Sequence, residues 1–407
     1  MTTSPSHSGP SVSSHGASDQ ASSHARASRE QLTIGVSGNA SISALMLELR
    51  KDLPLHVLTF LYFLAAAAIS LMVGAVDRFA PTVYFSLWMK SAALCLLIYL
   101  LVFEVPISVV GRSRRPLSDA IIRLWGRIKL RALPLLALLI NLSIFYSVFT
   151  SVKNMLPIFA PEWRDLDIAN FSQLLHFGYV PWRLLQEIMG YPTVTRFVEF
   201  LYLPVWLLLL VGLPVLLAVR RDLARLRVRY ILTMFLCFIM LGNIVAALGM
   251  SGGPAFYAQI TGDQVRYGEL IDYLAFSSGL PFSAWDIQRY LWACFEADRL
   301  QLGSGISAFP SLHVSMATLF ALAGRHLSLR LGRLLMLYCV AIFLGSVHLG
   351  WHYAVDGYAS VLGTVVLWLL AGRVMRRSDS SKAAPAEELP RIGQDISVGS
   401  APSATRS

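Results

Sequence analysis

Phe309-Pro310-Ser311-Leu312-His313 is followed, 39 residues after that histidine, by His352-Tyr353-Ala354-Val355-Asp356. Two imidazoles and a carboxylate stand at the edges of apolar stretches, where ionisable groups are costly and are retained chiefly where they act. The combination suits phosphoryl transfer. His352 and Asp356 are four residues apart, a spacing that places both on one face if the segment is helical. The carboxylate can then support one imidazole nitrogen while the other attacks phosphorus, and can stabilise the imidazolium that develops. His313, arriving from another helix, can protonate the leaving oxygen. A phospho-histidine would be resolved by water or by a lipid or polyol hydroxyl, and the spacing leaves both acceptors open.

Other residues near these motifs could bind substrate. Ser311 can donate to a phosphate or cap the helix that carries His313. His348 lies four residues before His352 and can face the same cavity, as can Tyr353. For the phosphate itself the chain offers Arg266, with Arg164, Arg183, Arg289 and Arg299 as alternatives. His348, His352, Asp356 and His313 would also make a zinc set, but the proposed chemistry needs no metal, and neither metal nor cofactor is expected. Gly345, Gly350, Gly357 and Gly363 do not form a nucleotide fingerprint.

The elements that must position these residues are membrane helices. Of 407 residues, 55% are hydrophobic and 14% charged, with mean hydropathy +0.58, and the apolar residues fall into blocks of the roughly 20 residues that span a bilayer. Eight spans are predicted: 53–75, 87–109, 132–152, 198–219, 230–250, 310–325, 331–348 and 354–373. Four cysteines, three of them inside spans, imply no disulfide framework. A net charge of +10 reflects short arginine-rich loops between spans, so membrane topology accounts for it and a nucleic-acid partner is not expected. The clusters at 112–131, 220–229, 325–333 and 373–377 fall on one side of an eight-span chain. The positive-inside rule makes that side cytoplasmic, with both termini, and puts His313 and His352 on the periplasmic or luminal face.

Residues 153–197 read as amphipathic interfacial helices, and 251–309 as a long outer connection that could cover the site. Residues 1–45 and 374–407 read as tails, and His7, His15 and His24 in the first are too widely spaced for a metal site. A transporter using the same residues as a proton relay predicts internal repeats and polar groups spread through the bilayer, whereas these concentrate near one face. A scaffold leaves the joint spacing and sidedness of the motifs unexplained.

At Pro310-Ser311-Leu312-His313 and Gly350-Trp351-His352-Tyr353-Ala354-Val355-Asp356 the chain resembles the type 2 phosphatidic acid phosphatase (PAP2) superfamily. The Phe-Pro-Ser-Leu-His form is most similar to its inositol phosphorylceramide and sphingomyelin synthases. The resemblance implies His313 as acid, His352 as nucleophile and Asp356 as its support, with membrane lipids as substrates. It implies an all-α integral membrane protein, with a six-helix catalytic core at 132–373 preceded by a two-helix addition and basic loop at 46–131. The family's phosphatases carry a first motif of Lys, six residues and Arg-Pro. Arg115-Pro116 has Ser108 in the lysine position and falls on the opposite side, so it is read as a false match. Gly345-Ser346 replaces the Ser-Arg that opens their third motif. These departures favour transfer to a lipid hydroxyl over hydrolysis of a lipid monophosphate or polyprenyl diphosphate.

Overall fold

The computed structural model describes residues 46, 49–129 and 132–383. The expected amino-terminal tail, with its three histidines, and residues 384–407 lie outside the described residues. Every regular element among the described residues is helical. In chain order the principal helices are α1 (Leu49–Met72), α2 (Phe85–Val110), α3 (Pro116–Ile128), α4 (Ala132–Phe159), α5 (Asp165–Leu175) and α6 (Pro181–Met189). There follow α7 (Pro192–Val219), α8 (Ala224–Leu248), α9 (Val265–Leu274), α10 (Ala284–Glu296), α11 (Leu312–Leu327), α12 (Leu329–His348) and α13 (Ala354–Ala383).

Seven of these, α1, α2, α4, α7, α8, α12 and the Ala354–Arg377 part of α13, are long and apolar enough to cross a membrane. The remaining predicted span, α11, has 16 residues, about 24 Å of helix against a hydrocarbon layer of about 30 Å. Its shortness follows from its position. Met316, Ala317, Leu319, Phe320, Ala321 and Ala323 are fully buried, so α11 is surrounded by other helices and has little surface to match to lipid. Around it pack Tyr230, Ile231 and Phe235 of α8 and Phe145 of α4, with the Phe145 and Phe235 rings stacked at 3.8 Å. A single residue, Ser328, separates α11 from α12, and its hydroxyl accepts the Leu331 N–H at 3.1 Å to start the second helix. The two segments expected at the interface form α5, α6, α9 and α10. Helix α13 continues ten residues beyond the predicted limit of 373, to Ala383.

The α1–α2 hairpin is fastened to the core by buried polar contacts. Arg227 of α8 forms a two-pronged pair with Asp52 of α1 at 3.0–3.1 Å, both side chains being 3% exposed. Arg227 thus lies inside the bundle and not on the charged loop to which the sequence pattern assigned it, because α8 begins before it. Tyr62 donates to Asn243 Oδ1 at 2.5 Å. In the loop joining α1 to α2, the Ala80 and Tyr84 N–H groups donate to Ser151 and Ser147 of α4 at 3.0 and 3.1 Å. At the other end of α2, fully buried Glu104 receives Arg123 and Arg127 of α3.

Breaking a buried ion pair from one side is more damaging than replacing both members with apolar groups. Arg227→Ala is expected to destabilise the protein by about 3 kcal/mol, read as a lower unfolding temperature in detergent, and the Asp52→Leu/Arg227→Met double variant to recover most of that loss.

Candidate active site

His313 is the second residue of α11, and Ser311 is the cap of that helix, its hydroxyl accepting the Val314 N–H at 3.4 Å. The cap is buried, so Ser311 sets where α11 starts and therefore where His313 projects. The imidazole is held between two rings of α7: it stacks on Tyr202 at 4.3 Å and 15°, and lies 4.3 Å from Trp206 at 34°. Trp206 Nε1 donates to the His313 carbonyl at 3.2 Å.

His352 is not on a helix, contrary to the simplest reading of its spacing to Asp356. Helix α12 ends at His348 and α13 begins at Ala354. Between them a tight turn forms in which the Trp351 and His352 N–H groups both donate to the Ser346 carbonyl, at 3.0 and 3.1 Å. Asp356 occupies the third position of α13 and accepts the Tyr353 N–H on Oδ2 at 3.0 Å, the carboxylate half of a capping box. The same oxygen lies 3.4 Å from His352 Nδ1. One buried carboxylate therefore starts the helix and backs the imidazole, leaving Nε2 as the outward nitrogen.

The two histidines share a cavity of about 480 Å³. Lys153, near the end of α4, lines it as well and makes no ion pair among the described residues. Gly305 (φ +91°) lies so close over the lysine that a Cβ there would fall 3.1 Å from both its carbonyl carbon and its Cγ. The roof is the irregular stretch from Leu302 to Ala308. The site therefore has two imidazoles and one ammonium around a space suited to a phosphoryl group, and the Glu199 carboxylate, which also lines the cavity, is paired with Arg196.

The other residues singled out in the sequence fall elsewhere. His348 is fully buried and bonded through Nε2 to Thr195 Oγ1 at 2.8 Å. Thr195 also meets the Tyr273 hydroxyl at 2.8 Å, so His348 joins α12 to α7 and α9 and is not on the cavity wall. Arg266 is taken up by Asn170 and Gln173 of α5 at 2.7 and 2.6 Å. Arg164 and Arg183 pair with Glu162 and Glu269, and Arg289 lies over Trp285; none of these arginines lines the cavity. Tyr353 is buried, and its hydroxyl donates to Asp165 at 2.8 Å.

Sequence reading missed Lys153, although a signal was present. Lys153 is followed by six residues and then Ala160-Pro161, which is the lysine and proline of the first motif with alanine in place of arginine. Asp165 was also missed. Its fully buried carboxylate accepts the N–H groups of Gly252 and Gly253 at 2.9–3.1 Å besides the Tyr353 hydroxyl. Burial pushes the Asp165 carboxyl above the usual range, and these three donors oppose that shift. Burial, reinforced by the adjacent Asp165, likewise keeps the Tyr353 hydroxyl protonated, as a donor must be.

Asp165→Ala would leave two backbone donors and a phenol without their acceptor and loosen the turn behind His352. Because small misplacements of reacting groups are expensive, turnover should fall by about 10²-fold with less effect on KM. Tyr353→Phe, which keeps the backbone contacts, should lose less in the same assay.

A family model described as the PAP2 superfamily matches residues 166–370, a stretch containing both histidine motifs. No curated protein and no solved structure matches the chain. The match covers half of the sequence, and with its membrane-length helices and paired histidines the chain belongs to the PAP2 superfamily.

Proposed function

We propose that the protein is an integral membrane phosphotransferase that moves a phosphorylated headgroup from one lipid to the hydroxyl of another through a phospho-histidine. Superfamily members are phosphatases or phosphotransferases acting on phosphate esters. The observation that carries the proposal is the single cavity, among membrane helices, onto which His313, His352 and Lys153 all open.

In the first step His352 Nε2 attacks phosphorus, the N–P bond forms and the bond to the donor's leaving oxygen breaks. His313 gives that oxygen its proton. Asp356 steadies the imidazolium through Nδ1, and the Lys153 ammonium offsets charge on the non-bridging oxygens. In the second step the acceptor hydroxyl attacks, its proton passes to His313, and the N–P bond breaks. Catalysis then resides in residues 132–373 together with the parts of the α1–α2 hairpin that reach the cavity.

Transfer is supported by the largely apolar wall, which suits a lipid acceptor, and by the departures from the phosphatase motifs at Ala160 and at Gly345-Ser346. A ceramide-like acceptor, as in inositol phosphorylceramide synthases, fits the form of the Phe-Pro-Ser-Leu-His motif. Hydrolysis has one observation in its favour, since Lys153 retains the lysine of the phosphatase pattern. The arginine clusters lie at the helix ends opposite the histidines, which supports a site on the periplasmic or luminal face with both termini cytoplasmic.

Purified protein given headgroup-labelled phospholipid and ceramide should form a new labelled phospholipid; release of inorganic phosphate alone would overturn transfer. His352→Ala should abolish labelling of the protein and turnover. His313→Ala should slow turnover by about 10²–10⁴-fold, and by less when the leaving group is p-nitrophenolate, which departs without a proton.

A further inference from the structure

The cavity does not stop at the reacting groups. From Tyr202 and His313 it continues as an apolar wing between α2 and α7, backed by α4 and α8 and lined by Trp88, Ser91, Phe149, Leu210, Val211 and Phe238. The wing has a floor: Cys95 Sγ of α2 lies 3.7 Å from where a Cβ on Gly212 of α7 would sit, so the two helices touch there. Its back is closed where Trp88 stacks on Tyr146 at 5.0 Å and 24°. It also has a side opening. Leu87 and Leu207 line it and are each 42% exposed, and both lie in membrane-length helices, so their free surface faces hydrocarbon.

We infer that this wing is the binding slot for a hydrocarbon chain of the phosphate-bearing lipid, with the added helix α2 forming one of its walls. The inference rests on the phosphoryl-transfer reading for which end of the lipid lies at the histidines. The occupant follows from continuity and charge. One end of the cavity presents an ammonium and two imidazoles, beside a Glu199 carboxylate that is taken up by Arg196, the Ser277 hydroxyl and the Ala284 N–H; the other presents mainly aromatic and aliphatic side chains with no ionised group, which is the polarity of an amphiphile carrying a phosphate. The side opening lets a lipid enter from the bilayer without its chain crossing water, and a second chain can stay outside. From Tyr202 to Val211 the slot follows nine residues of α7, about 13 Å, so it accepts a limited length of chain before the Cys95–Gly212 contact stops it. Residues 85–95, which lie outside the family match, would thus select the substrate.

The test uses the full chain in nanodiscs and a series of alkyl phosphonates, which bind without turning over. Affinity should rise about fourfold per methylene and then level off once the slot is full. An increase that continues without a break signals partition into the bilayer alone and overturns the slot, as does no dependence on chain length. A hexadecyl phosphonate carrying a mid-chain diazirine should label α2 and α7 near residues 88–95 and 202–212 and be displaced by the unlabelled compound. Ser91→Trp should cut that labelling at least tenfold, while Leu97→Trp, on the bilayer-facing side of α2, should leave it unchanged. Labelling spread evenly over lipid-facing residues, or indifferent to Ser91→Trp, removes the proposal. Because the wild-type affinity series needs no variant, a misfolded Ser91→Trp cannot decide the matter. Saturable, chain-dependent binding without any phosphoryl transfer would sink the enzymatic reading and leave the slot standing; transfer with no levelling and no specific label would do the reverse.

Discussion

The turn at Ser251–Gly253 holds the two histidine motifs in register, and the buried carboxylate of Asp165 holds the turn. The Ala308 N–H donates to the Ser251 carbonyl at 2.7 Å and the Phe309 N–H to the Ser251 hydroxyl at 3.2 Å, just ahead of the first motif. The Ala255 N–H reaches the Gly350 carbonyl at 2.8 Å, just ahead of the second. Gly253 sits at φ +85° against the Trp351 carbonyl, a place no side chain can occupy. An acid buried without a cation must find donors or protonate. Asp165 finds them in Gly252, Gly253 and Tyr353, so the cost of burying the acid is offset only when the histidines are in place.

The same economy of donors separates the roles of the two histidines. His352 has a carboxylate behind it, and that carboxylate is itself fixed by the first turn of α13. His313 is flanked by Tyr202 and Trp206, which fix the plane of its ring and supply no carboxylate. Two imidazoles in environments this different fit the nucleophile and proton carrier of the proposed reaction, in which Lys153 would add positive charge.

The bilayer made much of this fold legible in the sequence. Spans appear as apolar blocks because backbone groups in hydrocarbon must be satisfied within each helix, and the short linkers at Ser328 and 349–353 fix which helices are neighbours. Helix α11 lies within two residues of the expected 310–325, but as a helix buried in protein and not as one of the membrane-length helices, because its apolar residues reflect burial in protein. What the sequence obscured has a common cause. Arg227 and Arg123 look like loop charges until the helices that carry them are seen to meet Asp52 and Glu104. His348 looks like a site residue because helical periodicity relates it to His352, but the helix ends between them and the two diverge. Lys153 was hidden because the arginine that would have marked its motif is an alanine.

That last residue bears on where the catalytic unit begins. The family match starts at residue 166, yet Lys153 precedes it and the cavity's wall and roof depend on residues earlier still. Tyr84, on the cavity wall, accepts the Gly303 N–H at 2.7 Å and the Thr150 hydroxyl at 3.4 Å. Arg78 donates to the Asn154 carbonyl at 3.0 Å and pairs with Asp298, while Asn154 donates to Ser304 at 3.1 Å. The loop between the first two helices is thereby tied to the helix end carrying the lysine and to the segment that roofs it. An anchor that only held the core in the membrane would need none of these contacts. The amino-terminal hairpin helps to wall the cavity, and the boundary drawn by family resemblance divides a cavity that the physical contacts make continuous.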